Sequence, residues 1–299
     1  MSRSSDEPRV IVITGASSGI GRAAAHQLAA RGSSLVLAAR SREALEQTRQ
    51  ECVAKGASHV QTVVTDVGDR GQVEHLIRST AESQGRVDAV IHSAAVLAYG
   101  KFVDVPPDVF DQILLTNVTG SSNVARSTLQ QFDRQGHGSL VVIGSVLGKI
   151  ATPYMSSYCT SKWALHGLIR TLQIETRRAQ HIHVSLVSPG GVNTPIYDQA
   201  GSYAGRPGHP PPPVSSPERV AAKAVNALDH PGRDIGAGPV NWLMVLGFRA
   251  LPGPFDVMVP PMMRLLGMGR RQVPAGPGNV FEPQPAREAV HGRWPHIWG

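Results

Sequence analysis

The stretch Thr14-Gly15-Ala16-Ser17-Ser18-Gly19-Ile20-Gly21 decides how this chain folds. It follows a short β-branched run, RVIVI at 9–13, which predicts a buried strand. It opens a helical pattern that continues to Arg31 and that Gly32 ends. The glycines allow a tight turn, and the amides and dipole at the start of the helix favour a negative charge. A glycine-rich turn between a strand and a helix indicates a site for the diphosphate of a nucleotide.

Beyond this turn, apolar strand-like runs alternate with helical patterns. The predicted strands are 34–38, 59–64, 88–92, 138–143 and 183–187. The predicted helices are 41–55, 71–84, 107–132, the segment that holds Tyr158, and 217–229. Continuous apolar strands separated by helices predict a parallel sheet that is covered on both faces. The expected fold is therefore α/β: a doubly wound parallel sheet (Rossmann fold), in a single domain with a C-terminal extension.

The character of the chain changes after Pro189. We expect the dinucleotide-binding and catalytic domain to occupy 1–236, with a lid at 195–216 that is rich in Gly, Pro and Tyr. Residues 237–299 then form an apolar arm and a Pro/Gly/Arg-rich tail, which we expect to be extended or partly mobile. The arm at 240–267 could cover the substrate cleft, pack in a subunit interface or, less favoured, lie on a membrane surface.

Composition limits the classes of protein that fit. The 299 residues are 41% hydrophobic and 17% charged, which is typical of a globular chain, and the net charge is +7. The arginines are dispersed without interleaved aromatic residues, so we do not expect nucleic acid as a partner. Two cysteines provide neither a disulfide framework nor metal-ligand spacing, so we expect no metal. The polar N-terminus lacks the apolar core of a signal peptide, which favours a cytoplasmic location.

A phenol and an amine stand one helical turn apart at Tyr158 and Lys162. A free tyrosine is a poor base near neutrality, and a neighbouring cation lowers the pKa of its phenol. Tyr158 is therefore the candidate general acid and base. Ser145 directly follows the strand 138–143 and can orient a substrate oxygen by a hydrogen bond. Together with the glycine-rich turn, these residues predict an enzyme that moves a hydride and a proton.

The end of the second predicted strand indicates which dinucleotide is bound. A site for NAD(H) usually offers a carboxylate to the ribose 2′-hydroxyl there. This chain instead places Arg40 at that point, with no carboxylate before Glu43. A guanidinium pairs well with a 2′-phosphate, so we expect NADP(H) in preference to NAD(H). Asp66, which closes the third strand, is placed to reach the adenine edge or to cap the next helix.

The chain resembles the classical branch of the short-chain dehydrogenase/reductase (SDR) family from about Arg9 to Asp229. The motifs in family order are TGASSGIG at 14–21, Asp66-Val67, Asn117, Ser145, YCTSK at 158–162 and SPGGVNT at 188–194. The resemblance implies that Asn117 completes a catalytic tetrad with Ser145, Tyr158 and Lys162, kinks its helix and holds a water in a proton relay. It also implies a homodimer or homotetramer. The residues it implies for cofactor binding are Thr14, Gly15, Ser17, Ser18, Gly19, Ile20, Gly21, Arg40, Asp66, Val67, Ala94, Tyr158, Lys162, Pro189, Gly190, Val192 and Thr194.

One segment departs from the family pattern. Family members typically carry Asn-Asn-Ala-Gly after the fourth strand, whereas this chain has His92-Ser93-Ala94-Ala95. The small residues that border the cofactor are kept. We interpret His92 as a buried histidine that is hydrogen-bonded within the sheet, not as a catalytic group.

The elements beyond the strand ends are mostly apolar, at 96–103, 146–155 and 195–214. Their candidate lining residues are Leu97, Tyr99, Phe102, Leu147, Ile150, Tyr154, Met155, Ile196, Tyr197 and Tyr203. We therefore expect an NADP(H)-dependent oxidoreductase that interconverts a ketone and a secondary alcohol on a mainly hydrophobic small molecule. The alternatives are a 3-oxoacyl thioester reductase and a non-catalytic NADP-binding sensor or scaffold.

Overall fold

A computed structural model describes residues 7–295, and a parallel sheet runs through their centre. In chain order, its seven strands and four short additional ones are β1 (Val10–Thr14), β2 (Ser34–Ala39), β3 (His59–Val64), β4 (Ala89–His92), β5 (Ala98–Tyr99), β6 (Gly138–Ile143), β7 (Ile182–Pro189), β8 (Gly191–Val192), β9 (Gly201–Ser202), β10 (Val214–Ser215) and β11 (Ile235–Ala237). The order across the sheet is β11-β7-β6-β4-β1-β2-β3, and every neighbouring pair is parallel. β5 pairs with β9, and β8 with β10.

Helices cover both faces of this sheet. In chain order they are α1 (Gly19–Ala29), α2 (Arg42–Ala54), α3 (Arg70–Gln84), α4 (Pro107–Leu114), α5 (Gly120–Gln135), α6 (Ser156–Glu175), α7 (Pro217–Asn226), α8 (Asn241–Ala250) and α9 (Pro252–Leu266). One apolar cluster packs the first face against α1, α2 and α7, and another packs the second face against α3, α5 and α6. The doubly wound parallel sheet predicted from the alternating pattern is confirmed.

The position of the site follows from the strand order. The chain crosses from β1 outward to β2 and β3, and then returns to the other side of β1 at β4. The carboxyl ends of β1 and β4 therefore lie beside a topological switch point, where doubly wound sheets bind ligands. Both the glycine-rich turn and His92 lie at this edge.

Several boundaries differ from the predicted ones. The helix expected over 107–132 is interrupted by a π-helical turn at Leu115–Thr119, and α5 continues to Gln135. β11 was not predicted, because three residues with a glycine carry little pattern. The arm forms two helices, α8 and α9, although proline lies inside the second one. Among residues 7–295, no helix combines the length and the apolar character that crossing a bilayer demands.

The tail after α9 has little regular secondary structure and packs against the body of the protein. Val280 is fully buried within an apolar cluster that includes Val96, Val109 and Ile113. Asn279 Nδ2 donates to Gln199 Oε1 at 2.7 Å, and Gln199 Nε2 donates to the Arg287 carbonyl at 2.9 Å. The tail is thus held by both apolar burial and hydrogen bonds.

Candidate active site

A cavity of about 400 Å³ lies at the switch point and extends from the glycine-rich turn to Tyr158. Most of the residues predicted for the site line it together. They are Gly15, Ser17, Ser18, Gly19, Ile20, Arg40, Asp66, Val67, Ala94, Ser145, Tyr158, Lys162, Pro189, Gly190, Val192 and Thr194. Residues that are more than 170 positions apart in sequence therefore border one space.

Three predicted site residues do not line this cavity: Thr14, Gly21 and Asn117. Thr14 is fully buried and its hydroxyl is bonded to His92. A Cβ on Gly21 would overlap the carbonyl of Gly15, so this glycine serves close packing inside the turn. These two residues support the shape of the turn from behind it.

The turn has the geometry of a diphosphate cradle. Gly15 adopts a φ of +68°, and a Cβ there would lie only 2.7 Å from the backbone nitrogen of Ala94. α1 begins after Ser18, whose side chain makes no capping hydrogen bond, and its first turn carries no acidic residue. From the tail, the Ala289 carbonyl accepts from the Gly19 N–H and the Glu288 carboxyl is hydrogen-bonded to Ser17. A helix start with no side-chain cap and no acidic residue of its own suits an anion. The residues present therefore fit a dinucleotide.

The candidate catalytic residues come from β6 and α6. Ser145 follows β6, and its Oγ accepts a hydrogen bond from the Leu147 N–H at 3.1 Å. Lys162 is buried, and its Nζ donates to the Ile143 carbonyl at 3.1 Å. The same Nζ lies 5.4 Å from the centre of the Tyr158 ring. A lysine so enclosed holds its charge against the phenol without contact to bulk water.

The electrostatics of the phenol differ from the expectation. The neighbouring amine was expected to lower the pKa of Tyr158, but burial raises it well above its ordinary value, and a hydrogen bond with Ser145 opposes this only in part. Burial also lowers the pKa of Lys162 to about 8. The reason is that the same enclosure that brings the two groups together removes the water that would stabilise either charge. The phenol of this structure is therefore protonated near neutral pH.

Asn117 lies in the π-helical turn, in agreement with a kinked helix. Its Oδ1 accepts from the Val96 N–H at 2.9 Å, and its Nδ2 donates to the Val96 carbonyl at 2.9 Å and to Ser161 Oγ at 3.0 Å. The side chain thus ties the loop after β4 to α6. We therefore expect Asn117 to hold the loop after β4 and α6 in place from outside the cavity.

His92 has the structural role that the sequence suggested. Its Nδ1 lies 2.7 Å from Thr14 Oγ1 and its Nε2 lies 2.8 Å from Ser121 Oγ. Burial lowers its pKa to about 3, with a further contribution from the charge of Lys162. From the end of β4, the neutral imidazole of His92 therefore links β1 to α5. The family pattern has asparagine at this position.

Arg40 makes contacts that the sequence did not indicate. Its Nη2 donates to the Asn279 carbonyl at 2.6 Å, and its Nη1 donates to the carbonyls of Val280 at 3.2 Å and Phe281 at 2.9 Å. At the start of α1, the Gly19 N–H donates to the Ala289 carbonyl at 2.9 Å. The tail therefore runs along the adenosine and diphosphate end of the cavity and forms part of its wall.

Three tail residues that line the cavity, Asn279, Pro283 and Glu288, were missed by sequence reasoning. The tail carries no motif, and its apolar residues, such as Val280 and Phe281, are scattered through a Pro/Gly/Arg-rich segment. One Glu288 oxygen, Oε2, is buried without a hydrogen-bond partner, and burial raises the pKa of this carboxyl despite a hydrogen bond from Ser17.

We expect Glu288→Gln to stabilise the protein at pH 8 and to have little effect near pH 4, below the ordinary pKa of a glutamate. The folded state holds the Glu288 proton more tightly than the unfolded chain does, so this carboxyl lowers stability as the pH rises through its raised pKa. A neutral amide removes that cost. Each kcal/mol shifts the melting temperature of a chain of this size by roughly 2 °C, which thermal unfolding at both pH values can resolve. Glu282→Gln, at an exposed tail position, is the control, and an equal shift in both variants would contradict the assignment.

The other end of the cavity is apolar. Six of the predicted substrate-side residues line it: Leu97, Tyr99, Leu147, Met155, Ile196 and Tyr197. Phe102, Ile150, Tyr154 and Tyr203 do not; Phe102 points into solvent with 67% exposure, whereas Ile150 is fully buried elsewhere. A further part of the wall comes from α8 and α9 and the residues beside them, namely Pro239, Val240, Asn241, Leu243, Met244, Met262, Met263 and Leu266. These contacts favour the interpretation of the arm as a cover over the cleft.

Among residues 7–295, no group of three His, Cys, Asp or Glu side chains could hold a metal ion. The two cysteines, Cys52 and Cys159, are both buried and free.

A diphosphate turn and a buried Tyr-Lys pair at one edge of a doubly wound sheet define a dinucleotide-dependent oxidoreductase. A family model described as short chain dehydrogenase matches residues 9–203, and the chain belongs to the short-chain dehydrogenase/reductase family.

Individual relatives agree with this assignment. An uncharacterized oxidoreductase, YxnA of Bacillus subtilis, is 34% identical over 77% of this chain, which spans 65% of that relative's length. A short-chain dehydrogenase/reductase from Burkholderia phymatum in complex with NAD superposes with a TM-score of 0.72 at 27% identity, covering 81% of this chain and 93% of the other. An alcohol dehydrogenase from Thermococcus sibiricus complexed with 5-hydroxy-NADP gives a TM-score of 0.67 at 28% identity, covering 78% and 96%.

Proposed function

We propose that this protein is an NADP(H)-dependent reductase of ketones with a hydrophobic body, with Tyr158 as the proton donor. The observation that carries the proposal is the buried phenol beside an apolar chamber, in the same cavity as the diphosphate turn. Burial keeps the phenol protonated near neutral pH, which suits donation to a carbonyl oxygen. The reverse reaction, oxidation of a secondary alcohol, requires the same residue as a base.

Each side chain has a distinct part in this proposal. When bound, the nicotinamide dinucleotide supplies the hydride, and Gly15, Ser18 and Gly19 would hold its diphosphate. Ser145 orients the substrate oxygen, and Tyr158 gives it a proton. Lys162 lies beside the phenol ring and stabilises the phenolate that remains after the transfer. Residues 1–236 supply these groups, and the arm and tail from 237 onward close the cavity around them.

The activity can be tested with a panel of ketones and secondary alcohols, followed by the absorbance of the reduced nicotinamide. We expect turnover of ketones with apolar substituents and little turnover of small, charged carbonyl compounds. Turnover confined to 3-oxoacyl thioesters would favour the alternative reductase. Absence of turnover, with tight dinucleotide binding, would favour a sensor or scaffold.

The preference for NADP(H) rests on Arg40 and is testable separately. We expect Arg40→Asp to reverse the ratio of kcat/KM for NADPH and NADH, since a charged hydrogen bond contributes about 1.5–3 kcal/mol and the new carboxylate repels a 2′-phosphate. The reversal should be about tenfold or more. Arg42→Asp, two residues along on an exposed position, makes the same change of charge as a control. An unchanged ratio in Arg40→Asp would show that another residue selects the cofactor.

A further inference from the structure

The arm that covers the cavity exposes a second apolar surface on its outer side. Along α9, the residues Val259 and Met263 are buried, whereas Val257, Met258 and Leu265 are 76%, 62% and 70% exposed. Residues four apart share a helix face, so buried and exposed apolar residues occupy opposite faces of α9. Apolar residues on both the buried and the exposed face of a helix are typical of a buried or membrane-contacting element.

The preceding helix repeats this arrangement. Trp242 and Leu246 of α8 are 67% and 52% exposed, whereas Phe248 turns inward and packs edge-on against Phe255 of α9 at 5.2 Å. Leu251, which joins the two helices, is 59% exposed. The exposed set, called the outer face below, consists of Trp242, Leu246, Leu251, Val257, Met258 and Leu265. All six lie on α8, on α9 or at the residue that joins them, and the two helices pack against each other. Clustered exposed apolar residues mark interaction sites, unlike the singly exposed ones of an ordinary surface.

The charges around the outer face are nearly all positive. Arg249, Arg264, Arg270 and Arg271 are exposed, and Asp256 is the only acidic residue between 240 and 271. Exposed tryptophan and leucine bordered by arginines are the composition of a helix that lies in the headgroup region of a bilayer. Each arginine near an anionic lipid surface contributes about 1 kcal/mol.

A second copy of the chain suits the outer face less well. In a two-fold symmetric dimer the same patch meets itself, which brings the arginines of both copies to one rim. An anionic lipid surface instead complements all of these arginines and buries the apolar side chains. Both helices are too short to span a bilayer, at 10 and 15 residues, so the contact would lie along the surface.

We propose that the outer face of α8 and α9 docks on a bilayer surface that contains anionic phospholipid. Leu243 is 53% exposed and also lines the cavity, so the docked surface borders the mouth of the apolar chamber. Substrates dissolved in the lipid then reach Tyr158 without crossing water. This last step rests on the proposed function, whereas docking itself does not.

Docking is tested by flotation of the full chain with vesicles, without substrate, so that its failure is distinct from failure of the proposed reaction. We expect binding to vesicles of phosphatidylglycerol mixed with phosphatidylcholine at low salt, and weak binding to phosphatidylcholine alone. The double variant Val257→Glu/Leu265→Glu should bind at least about tenfold more weakly. Transfer of the two apolar side chains from water into the lipid contributes more than about 1.4 kcal/mol to docking, and the variant loses this contribution. Ile174→Glu, at a 58% exposed position of α6, is the matched control and should bind normally. Reversal of Arg270 and Arg271 to glutamate should remove the preference for anionic lipid.

A second measurement keeps the test independent of how the charged variants fold. Brominated phosphatidylcholine mixed into the anionic vesicles should quench the tryptophan fluorescence of the unaltered protein, and Trp242→Phe should abolish most of that quenching. Absence of flotation with anionic vesicles at low salt would overturn the proposal. So would concentration-dependent self-association that is lost in the double variant while flotation is unchanged, since that result would assign the outer face to a second copy.

Discussion

Replacing Tyr158 by phenylalanine is expected to lower kcat/KM for ketone reduction by about 10²–10⁴, the usual contribution of a positioned proton donor. The variant keeps the ring that packs beside Lys162 and Met155 but lacks the hydroxyl. Steady-state rates with a ketone from the substrate panel and NADPH measure the effect. Dinucleotide affinity, measured by quenching or enhancement of the reduced nicotinamide fluorescence, should change little.

The control for this experiment is Tyr154→Phe. Tyr154 lies four residues earlier, in the turn before α6. Its hydroxyl accepts from Arg264 Nε at 2.8 Å, and it does not line the cavity. We expect its kcat/KM to remain close to that of the unaltered protein. If both variants turned over the ketone equally well, Tyr158 would not be the proton donor, and the sensor or scaffold alternative would gain support.

The second large effect concerns the tail. Val280→Asp should release the tail from the body of the protein, because a carboxylate cannot be paired in the cluster around Val96, Val109 and Ile113. Loss of the tail removes three carbonyl acceptors from Arg40 and one from the Gly19 N–H. A wall of the cofactor end of the cavity then opens. We expect NADPH to dissociate at least about tenfold faster, which corresponds to about 1.4 kcal/mol.

Stopped-flow displacement of NADPH measures this rate, and limited proteolysis of the tail reports its release. Ala286→Asp adds the same charge at an exposed tail position and should leave both readouts unchanged. A tail that becomes protease-sensitive in Val280→Asp with no change in the dissociation rate would show that the tail does not enclose the cofactor. An intact tail in that variant would contradict the role of Val280 itself.

The sequence by itself determined the doubly wound sheet and most of the candidate site residues that border the cavity. Strands such as β1 and β4 are continuous apolar runs, and the turn at 14–21 requires glycine. Both features are local in sequence, so they can be recognised without knowledge of tertiary contacts. The spacing of Tyr158 and Lys162 places them on one face of α6 for the same reason: the helix repeat is local. His92 was also interpreted correctly, since an apolar strand implies burial.

Only the tertiary structure decided the pKa of Tyr158, the hydrogen-bond partners of Arg40 and which face of the arm covers the cavity. The pKa of a phenol depends on how much water the surrounding elements exclude, and no neighbour in sequence specifies that. Arg40 and the carbonyls at 279–281 are about 240 positions apart, and backbone acceptors leave no mark in the sequence. Apolar residues lie on both faces of α8 and α9. The sequence pattern of the arm therefore could not distinguish the face that closes the cavity from the face that remains exposed. Local patterns encode periodicity, whereas solvent exclusion and long-range hydrogen bonds exist only once the chain has folded.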